Sequence, residues 1–243
     1  MMRESPREFT RDSLLNGQLK LRQPKSGYRV AIDPIILSSF VHPRPRQKIL
    51  DVGCGVGTIA LILKRRECLS EITALDIDTE MCEICRENSA MNSLDIEVIA
   101  VSIESSVFGS SFDQVVTNPP FLQKKSSRIS ESKILANFET IDLADWISYC
   151  LRTLKNRGIF TMIHRASRLG DILEALKRNK IAEIGDVQIT PIFPKIDSAA
   201  NRVLVQAQKS CKSESKILPG IIVHNTDGSY TEAMQRILDE GKR

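Results

Sequence analysis

The chain has 243 residues, 42% hydrophobic and 26% charged, an ordinary globular balance that excludes disordered, collagen-like and coiled-coil classes and suits one large domain. No apolar run approaches the roughly 18 residues of a membrane-spanning helix, and Met1-Met2-Arg3-Glu4-Ser5-Pro6 opens no signal peptide, so a soluble, cytoplasmic protein is expected, with a monomer favoured. The formal net charge is only +4, but residues 1–50 carry ten Lys/Arg against four Asp/Glu, residues 51–121 four against twelve, and residues 152–180 eight against two. Two basic stretches around an acidic middle suit local engagement of a polyanion such as RNA; solvated helix faces would give the same pattern.

In chain order, Lys48–Val52 is the first strong strand signal and runs into Gly53-Cys54-Gly55-Val56-Gly57, with an apolar helix from Thr58 to Arg66. A strand Ile72–Asp76, a polar helix from about Thr79 to Asn92 and a strand Ile96–Val101 follow. The next strand, Phe112–Thr117, ends in Asn118-Pro119-Pro120-Phe121, and residues 122–142, rich in Lys, Ser and Arg, suit a lid or substrate contact. Beyond them come a helix Leu143–Leu154, a strand Ile159–Ile163, a helix Leu169–Lys180 and a strand Val187–Ile192, then a loop bounded by Pro191 and Pro194. Arg202–Ala207 is another strand; Ile221–His224 is a strand and turn, closed by a helix Thr231–Leu238.

Strands alternating with helices predict an α/β, doubly wound, Rossmann-like sheet. The last two core strands lack a helix between them and so must pair antiparallel, which makes a seven-stranded, mostly parallel sheet with an antiparallel strand near the C-terminal end. The expected organisation is an N-terminal arm over 1–46 covering the cofactor pocket, a core over 47–210 and an extension over 211–243 packing on it. Six cysteines form no disulfide framework, and Cys82 and Cys85, at i and i+3 of a helix, share a face rather than make half a metal site. No metal is expected.

In such sheets ligands bind at the carboxyl ends of the strands, so Gly53–Gly57, Asp76 and Asn118–Phe121 should converge on one rim. Gly53, Gly55 and Gly57 allow a tight turn and a close backbone approach to a ligand. The nicotinamide fingerprint would place its third glycine at position 58, which is Thr58. Asp51 just before the turn repels a pyrophosphate but suits a cation, which favours S-adenosylmethionine, with its sulfonium and amino groups. Asp76, 23 residues after Gly53, can accept from both ribose hydroxyls, and Ile77 can pack on the adenine. In Asn118-Pro119-Pro120-Phe121 the prolines remove two N–H donors and leave carbonyls free, Asn118 adds a side-chain carbonyl and Phe121 a ring. That set can hold a planar, conjugated amine and localise its lone pair for in-line attack on a methyl group, by positioning and electrostatics rather than by a dedicated base.

These motifs resemble the class I S-adenosylmethionine-dependent methyltransferases that act on exocyclic or amide nitrogens. With Gly27–Leu37, Ile163-His164-Arg165, Ala200–Val205 and Val223-His224 followed by Asp227–Thr231, the chain resembles, from about Leu19 onward, the bacterial tRNA adenine-N6-methyltransferase family. The resemblance implies that Gly27–Leu37 folds over the cofactor with Arg29 and Asp33 near its methionine end. It also implies that Ser102, followed by Ile103, stands where the family usually has an acidic residue on the adenine amine. The implied substrate is tRNA, held by Lys124, Lys125, Arg128 and Arg165. Glutamine methylation of release factors, guanine-N2 methylation of ribosomal RNA and a silent RNA- or cofactor-binding module remain the alternatives. Phe121 rather than Tyr after the prolines, and only 47 residues before the first core strand, set the chain apart from the glutamine enzymes.

Overall fold

The structure, a computed structural model, describes residues 8–26, 29–105, 108–120 and 141–243. Phe121, Lys124, Lys125 and Arg128, residues 122–140 of the expected lid, and Gly27-Tyr28 lie outside the described residues. The N-terminal arm holds an antiparallel hairpin, β1 (Phe9–Leu14) and β2 (Leu19–Pro24), then α1 (Asp33–Phe40). The core follows as β3 (Lys48–Val52), α2 (Thr58–Arg66), β4 (Glu71–Asp76), α3 (Thr79–Met91), β5 (Glu97–Ala100) and β6 (Phe112–Thr117). It continues through α4 (Leu143–Thr153), β7 (Leu154–Arg165), α5 (Leu169–Arg178), β8 (Ile184–Lys195) and β9 (Arg202–Lys209). The end is β10 (Lys216–Ile217), β11 (Ile221–His224) and α6 (Glu232–Glu240).

The sheet order is β10-β8-β9-β7-β6-β3-β4-β5, with β11 also on β8. Strands β3 to β9 make the expected seven-stranded sheet, in which β9 alone runs antiparallel, between β7 and β8. The C-terminal residues extend that sheet with two short strands, both parallel to β8. The chain winds outward from β3 to β5 and then returns to β6 on the other side of β3. The gap between β3 and β6 is thus the topological switch point, where such sheets bind ligands.

Local chemistry accounts for the helices. Five consecutive apolar residues of α2, Ile59 to Leu63, are buried between the sheet, α1, α3 and the hairpin, and Lys64, Arg65 and Arg66 occupy its last turn, where cations favour the helix dipole. Asp78 caps α3 by accepting from Glu80 and Met81 N–H at 3.0 and 3.3 Å. One core lies between the sheet and α1, α2, α3 and α6; the other lies under α4 and α5. Buried Lys209 donates to the Leu151 and Leu154 carbonyls at 2.8 and 2.5 Å, closing the C-terminal end of α4.

Two expectations are corrected. Pro191 and Pro194 do not bound a loop; both lie within β8. Pro191 falls between the segment paired with β10, Gln188–Ile189, and the segment paired with β11, from Ile192 to Lys195, so its missing N–H interrupts neither ladder. The arm also contains the hairpin β1–β2, which strand signals in 1–46 had not indicated. Its turn is Asn16-Gly17, with φ of 52° and 82°, the left-handed values that suit a two-residue hairpin turn.

Candidate active site

Strand register builds the rim. Val52 is paired with Leu75 on one side and Thr117 on the other, so Gly53 stands between Asp76 and Asn118, one residue beyond each pair. Asp76 is paired with Ala100, which places Val101 and Ser102 just past the next strand end. The three strand ends expected to converge therefore do so at the switch point.

The turn after β3 is held from below. Leu75 carbonyl accepts from Gly53 and Cys54 N–H at 2.8 and 3.0 Å, and Asp76 Oδ2 accepts from Gly55 N–H at 2.8 Å. Asp76 Oδ1 accepts from Asp78 N–H at 2.9 Å, and the Ile77 N–H also acts on the carboxylate. Burial holds the Asp76 carboxyl above its usual range, against the pull of those N–H groups. Asp51 is fully buried beneath the turn, its Oδ2 accepting from Ala60 N–H at 3.2 Å, while Oδ1 has no partner among the described residues. Burial, reinforced by the Asp76 charge, pushes its carboxyl up to about 7. Two carboxylates are thus concentrated under a backbone turn, an electrostatic setting that rejects anions and favours a cation.

Gly53, Gly55 and Gly57 all have positive φ, and the three differ in what a side chain would meet. A Cβ at Gly55 would enter open space, whereas at Gly57 it would lie 2.4 Å from Cys85 Sγ. Gly57→Ala should therefore lower stability by about 1–3 kcal/mol, through strain at φ +88° and through the clash. Chemical denaturation of Gly57→Ala and of Gly57→Ala/Cys85→Ala separates the two: the double variant regains the part due to the clash. Cys82 and Cys85 share the buried face of α3 as expected, and Cys54 joins them there. Hydrogen bonding to the other two sulfurs, then burial, raises the Cys54 thiol, an inert packing role. Among the described residues, no group of three or more His, Cys, Asp or Glu could hold a metal ion.

Beside the turn is a small pocket lined by Gly53, Leu75, Asp76, Ile77, Val101, Ser102, Ile103, Ile141 and Trp146. Its walls are mostly apolar, with Asp76 and Ser102 as polar points; the Ser102 hydroxyl accepts from Glu104 N–H at 3.2 Å. Trp146, the single tryptophan, was not singled out from the sequence. Its ring sits where a Gly53 Cβ would be, at 3.1 Å, and its indole N–H donates to Thr117 Oγ1 at 2.9 Å. Thr117 in turn donates to the Val52 carbonyl at 2.8 Å, tying the ends of β3 and β6 together. Asn88 is a second omission: its amide donates to the Val56 and Arg22 carbonyls, both at 3.0 Å, and Oδ1 accepts from Arg22 N–H at 2.7 Å. It clamps the hairpin to the glycine turn.

The two arm residues expected at the cofactor have separate partners. Arg29 pairs with Asp12 of β1 at 3.2 Å, while Asp33, at the start of α1, accepts from Arg202 Nε at 2.9 Å. Asn118 and Pro120 are half-buried and Pro119 is buried. Arg165 ends β7, level with Arg202 on β9. His164 is buried with Nδ1 accepting from Arg165 N–H at 2.8 Å, and burial with the nearby arginines lowers it to about 4, which keeps it neutral.

Residues 32–139, a span that includes the glycine turn, Asp76 and the Asn-Pro-Pro loop, match the family model of the methyltransferase small domain. A Shewanella baltica protein named tRNA1(Val) (adenine(37)-N6)-methyltransferase is 24% identical, over 91% of this chain and 94% of its own. A protein of the same name from Actinobacillus pleuropneumoniae is 26% identical, over 90% and 92%. A predicted O-methyltransferase from Agrobacterium tumefaciens shares the fold with a TM-score of 0.69 at 23% identity, covering 86% of this chain and 96% of its own. TYW2 from M. jannaschii, solved with AdoMet, gives 0.61 at 13% identity, covering 86% and 89%.

The rim fits S-adenosylmethionine: buried Asp51 and Asp76 suit a cationic ligand, Asp51 Oδ1 has no partner among the described residues, and a mostly apolar pocket lies beside the turn. The protein is an S-adenosylmethionine-dependent methyltransferase.

Proposed function

We propose that this methyltransferase modifies the exocyclic N6 of an adenine in tRNA. The observation that carries the reading is the placement of Asn118-Pro119-Pro120 one residue beyond the Val52–Thr117 pair, directly across from the glycine turn. S-adenosylmethionine supplies an electrophilic methyl group on a sulfonium. The Asn118 side-chain carbonyl and the backbone carbonyls of the loop accept the amine hydrogens; this draws the nitrogen toward tetrahedral and frees its lone pair for the methyl carbon. As the N–C bond forms, the C–S electrons go to sulfur and the nitrogen proton leaves to water.

In this reading Asp76 takes the ribose hydroxyls, Ile77 and Ile103 flank the adenine of the cofactor, and Ser102 accepts from its amine without charge. Asp51 sets the field under the turn, and Gly53, Gly55 and Gly57 let the backbone approach. Arg29 and Asp33 serve the methionine end from the arm, and Arg165 meets RNA phosphate. The two curated relatives named as tRNA adenine-N6 enzymes support the choice of acceptor.

Nucleoside mass spectrometry on tRNA lacking N6-methyladenosine, incubated with protein and S-adenosylmethionine, tests this. A rise in N6-methyladenosine is expected. No methylated nucleoside, with label instead entering a release factor, would replace adenine by a glutamine amide.

A further inference from the structure

The strands β7, β8 and β11 end on the same rim as β3, β4 and β6, and antiparallel β9 begins there. Moving away from Asn118 across the sheet, the rim presents Arg165 on β7, Arg202 on β9, Lys195 on β8 and His224 on β11. Arg165 is paired with Arg202, which on its other side faces Ile192; Lys195 and its partner His224 therefore stand three residues, roughly 10 Å, farther out along the strand direction. At about 4.8 Å per strand, four steps from β6 to β11 span roughly 19 Å. Arg165, then Arg202, which is paired with Asp33 at 2.9 Å, then Lys195 lead from the reacting loop to an aromatic pair.

That pair is His224 and Tyr230, stacked with ring centroids 4.8 Å apart and planes 21° from parallel. The intervening turn is built to hold it. His224 and Tyr230 are bridged through the backbone, Asn225 N–H donates to the Ser229 carbonyl at 2.8 Å, and Asn225 Nδ2 donates to the Tyr230 carbonyl at 3.1 Å. Gly228, at φ +90°, allows the reversal. Thr231 then caps α6 and donates to the Ile222 carbonyl at 2.7 Å, fixing the position that follows Tyr230. Asp227, within electrostatic reach of Lys195, accepts from the N–H and hydroxyl of Ser229 at 2.9 and 2.6 Å. The result is a ring stacked on His224 in a residue, Tyr230, that is 37% exposed, beside exposed Lys195 and Ile196.

A core pair would bury both rings, and a polar pair would satisfy the imidazole; instead His224 Nδ1 is buried with no hydrogen-bond partner among the described residues. What is offered outward is a flat, rigid π-face at the end of that basic path. We propose that the His224–Tyr230 stack is a platform for a nucleobase of the substrate RNA, one that flanks the methylated adenine, with the connecting phosphates running along Arg165, Arg202 and Lys195. The proposal rests on the RNA reading of the active site. It adds that the RNA crosses the sheet toward β11 rather than toward β5.

The test compares wild type, Tyr230→Ala and Tyr230→Phe on unmodified tRNA, reading KM and kcat for tRNA, the Kd for S-adenosylmethionine and the melting temperature. Loss of a base–aromatic stack predicts a KM for tRNA raised roughly 5- to 150-fold in Tyr230→Ala, with kcat at saturating tRNA and cofactor affinity held. Tyr230→Phe keeps the face and should behave as wild type. An unchanged KM in Tyr230→Ala, or equal damage in both variants, overturns the platform. Should Tyr230→Ala fail to fold, photocrosslinking of 4-thiouridine tRNA to wild type decides: linkage to the peptide spanning 221–231 supports the platform, and linkage only elsewhere overturns it. Failure of wild type to methylate any RNA removes the active-site reading itself, an outcome separate from these.

Discussion

Asn118→Ala will slow methyl transfer by about 10²–10³ while leaving S-adenosylmethionine bound with near-wild-type affinity. The two effects separate because Asn118 stands past the end of β6, across from Gly53, whereas the cavity beside the turn is closed by residues from β4, the segment after β5, and α4. Its amide does its work on the acceptor nitrogen, where charge develops only as the bond forms. Removing a donor or acceptor of that kind costs about 10²–10³ in rate in other enzymes. A loss of that size in single-turnover rate, with an unchanged Kd by calorimetry, is the expected result. If cofactor affinity collapsed in parallel with rate, Asn118 would belong to the cofactor site and the acceptor-holding role would fall.

The rim is legible in sequence because each of its pieces carries a local mark: a short apolar strand followed at once by residues with unusual backbone requirements. Gly53, Gly55 and Gly57 sit at positive φ, Asp76 ends a strand one residue before a helix cap, and two prolines follow Asn118. Such marks fix where each strand stops, and a parallel sheet then brings the stops together.

What holds the rim depends on contacts between distant residues, and these leave fainter traces. Trp146 looks like one more apolar position on an amphipathic helix; only its pairing with Thr117 and Gly53 makes it part of the site. Asn88 and Asn92, at i and i+4 on α3, both bind backbone of β2, which cannot be inferred without knowing that the hairpin exists. The hairpin did leave a signal, the Asn16-Gly17 dipeptide between alternating strands, masked by the many charged residues around it. Pro191 and Pro194 misled for the opposite reason. Proline is a sound strand breaker only where a neighbouring strand needs its N–H; Pro191 falls in the gap of the outer ladder between β10 and β11, and Pro194 lies past the Ile192–Arg202 pair that ends the ladder with β9.

The buried carboxylate under the turn leads to the second large effect, a pH dependence of both stability and cofactor binding. Asp51 has an ordinary value of 3.8 in the unfolded chain and about 7 in the folded protein. Between those values the folded state holds the extra proton, so stability falls as pH rises through this window and levels off above it. At about 1.4 kcal/mol per unit the cost by pH 8 is on the order of 4 kcal/mol. Asp76, raised in the same direction, adds to the slope. Asp51→Asn keeps an acceptor for the Ala60 N–H but cannot ionise. It should match wild type near pH 4 and be more stable at pH 8; parallel stability profiles for the two proteins would show that Asp51 does not titrate in this range. A cation over the turn reverses the penalty, since it stabilises the ionised carboxylates that burial disfavours. S-adenosylmethionine affinity should therefore rise with pH through about 7, with proton release on binding. Affinity for S-adenosylhomocysteine, which has no sulfonium, should rise less, and Asp51→Asn should narrow the difference between the two. Calorimetry of both ligands in buffers of different ionisation enthalpy reads the proton count directly. Equal pH slopes for the two ligands would place the sulfonium outside the field of Asp51 and leave that residue to hold the turn alone.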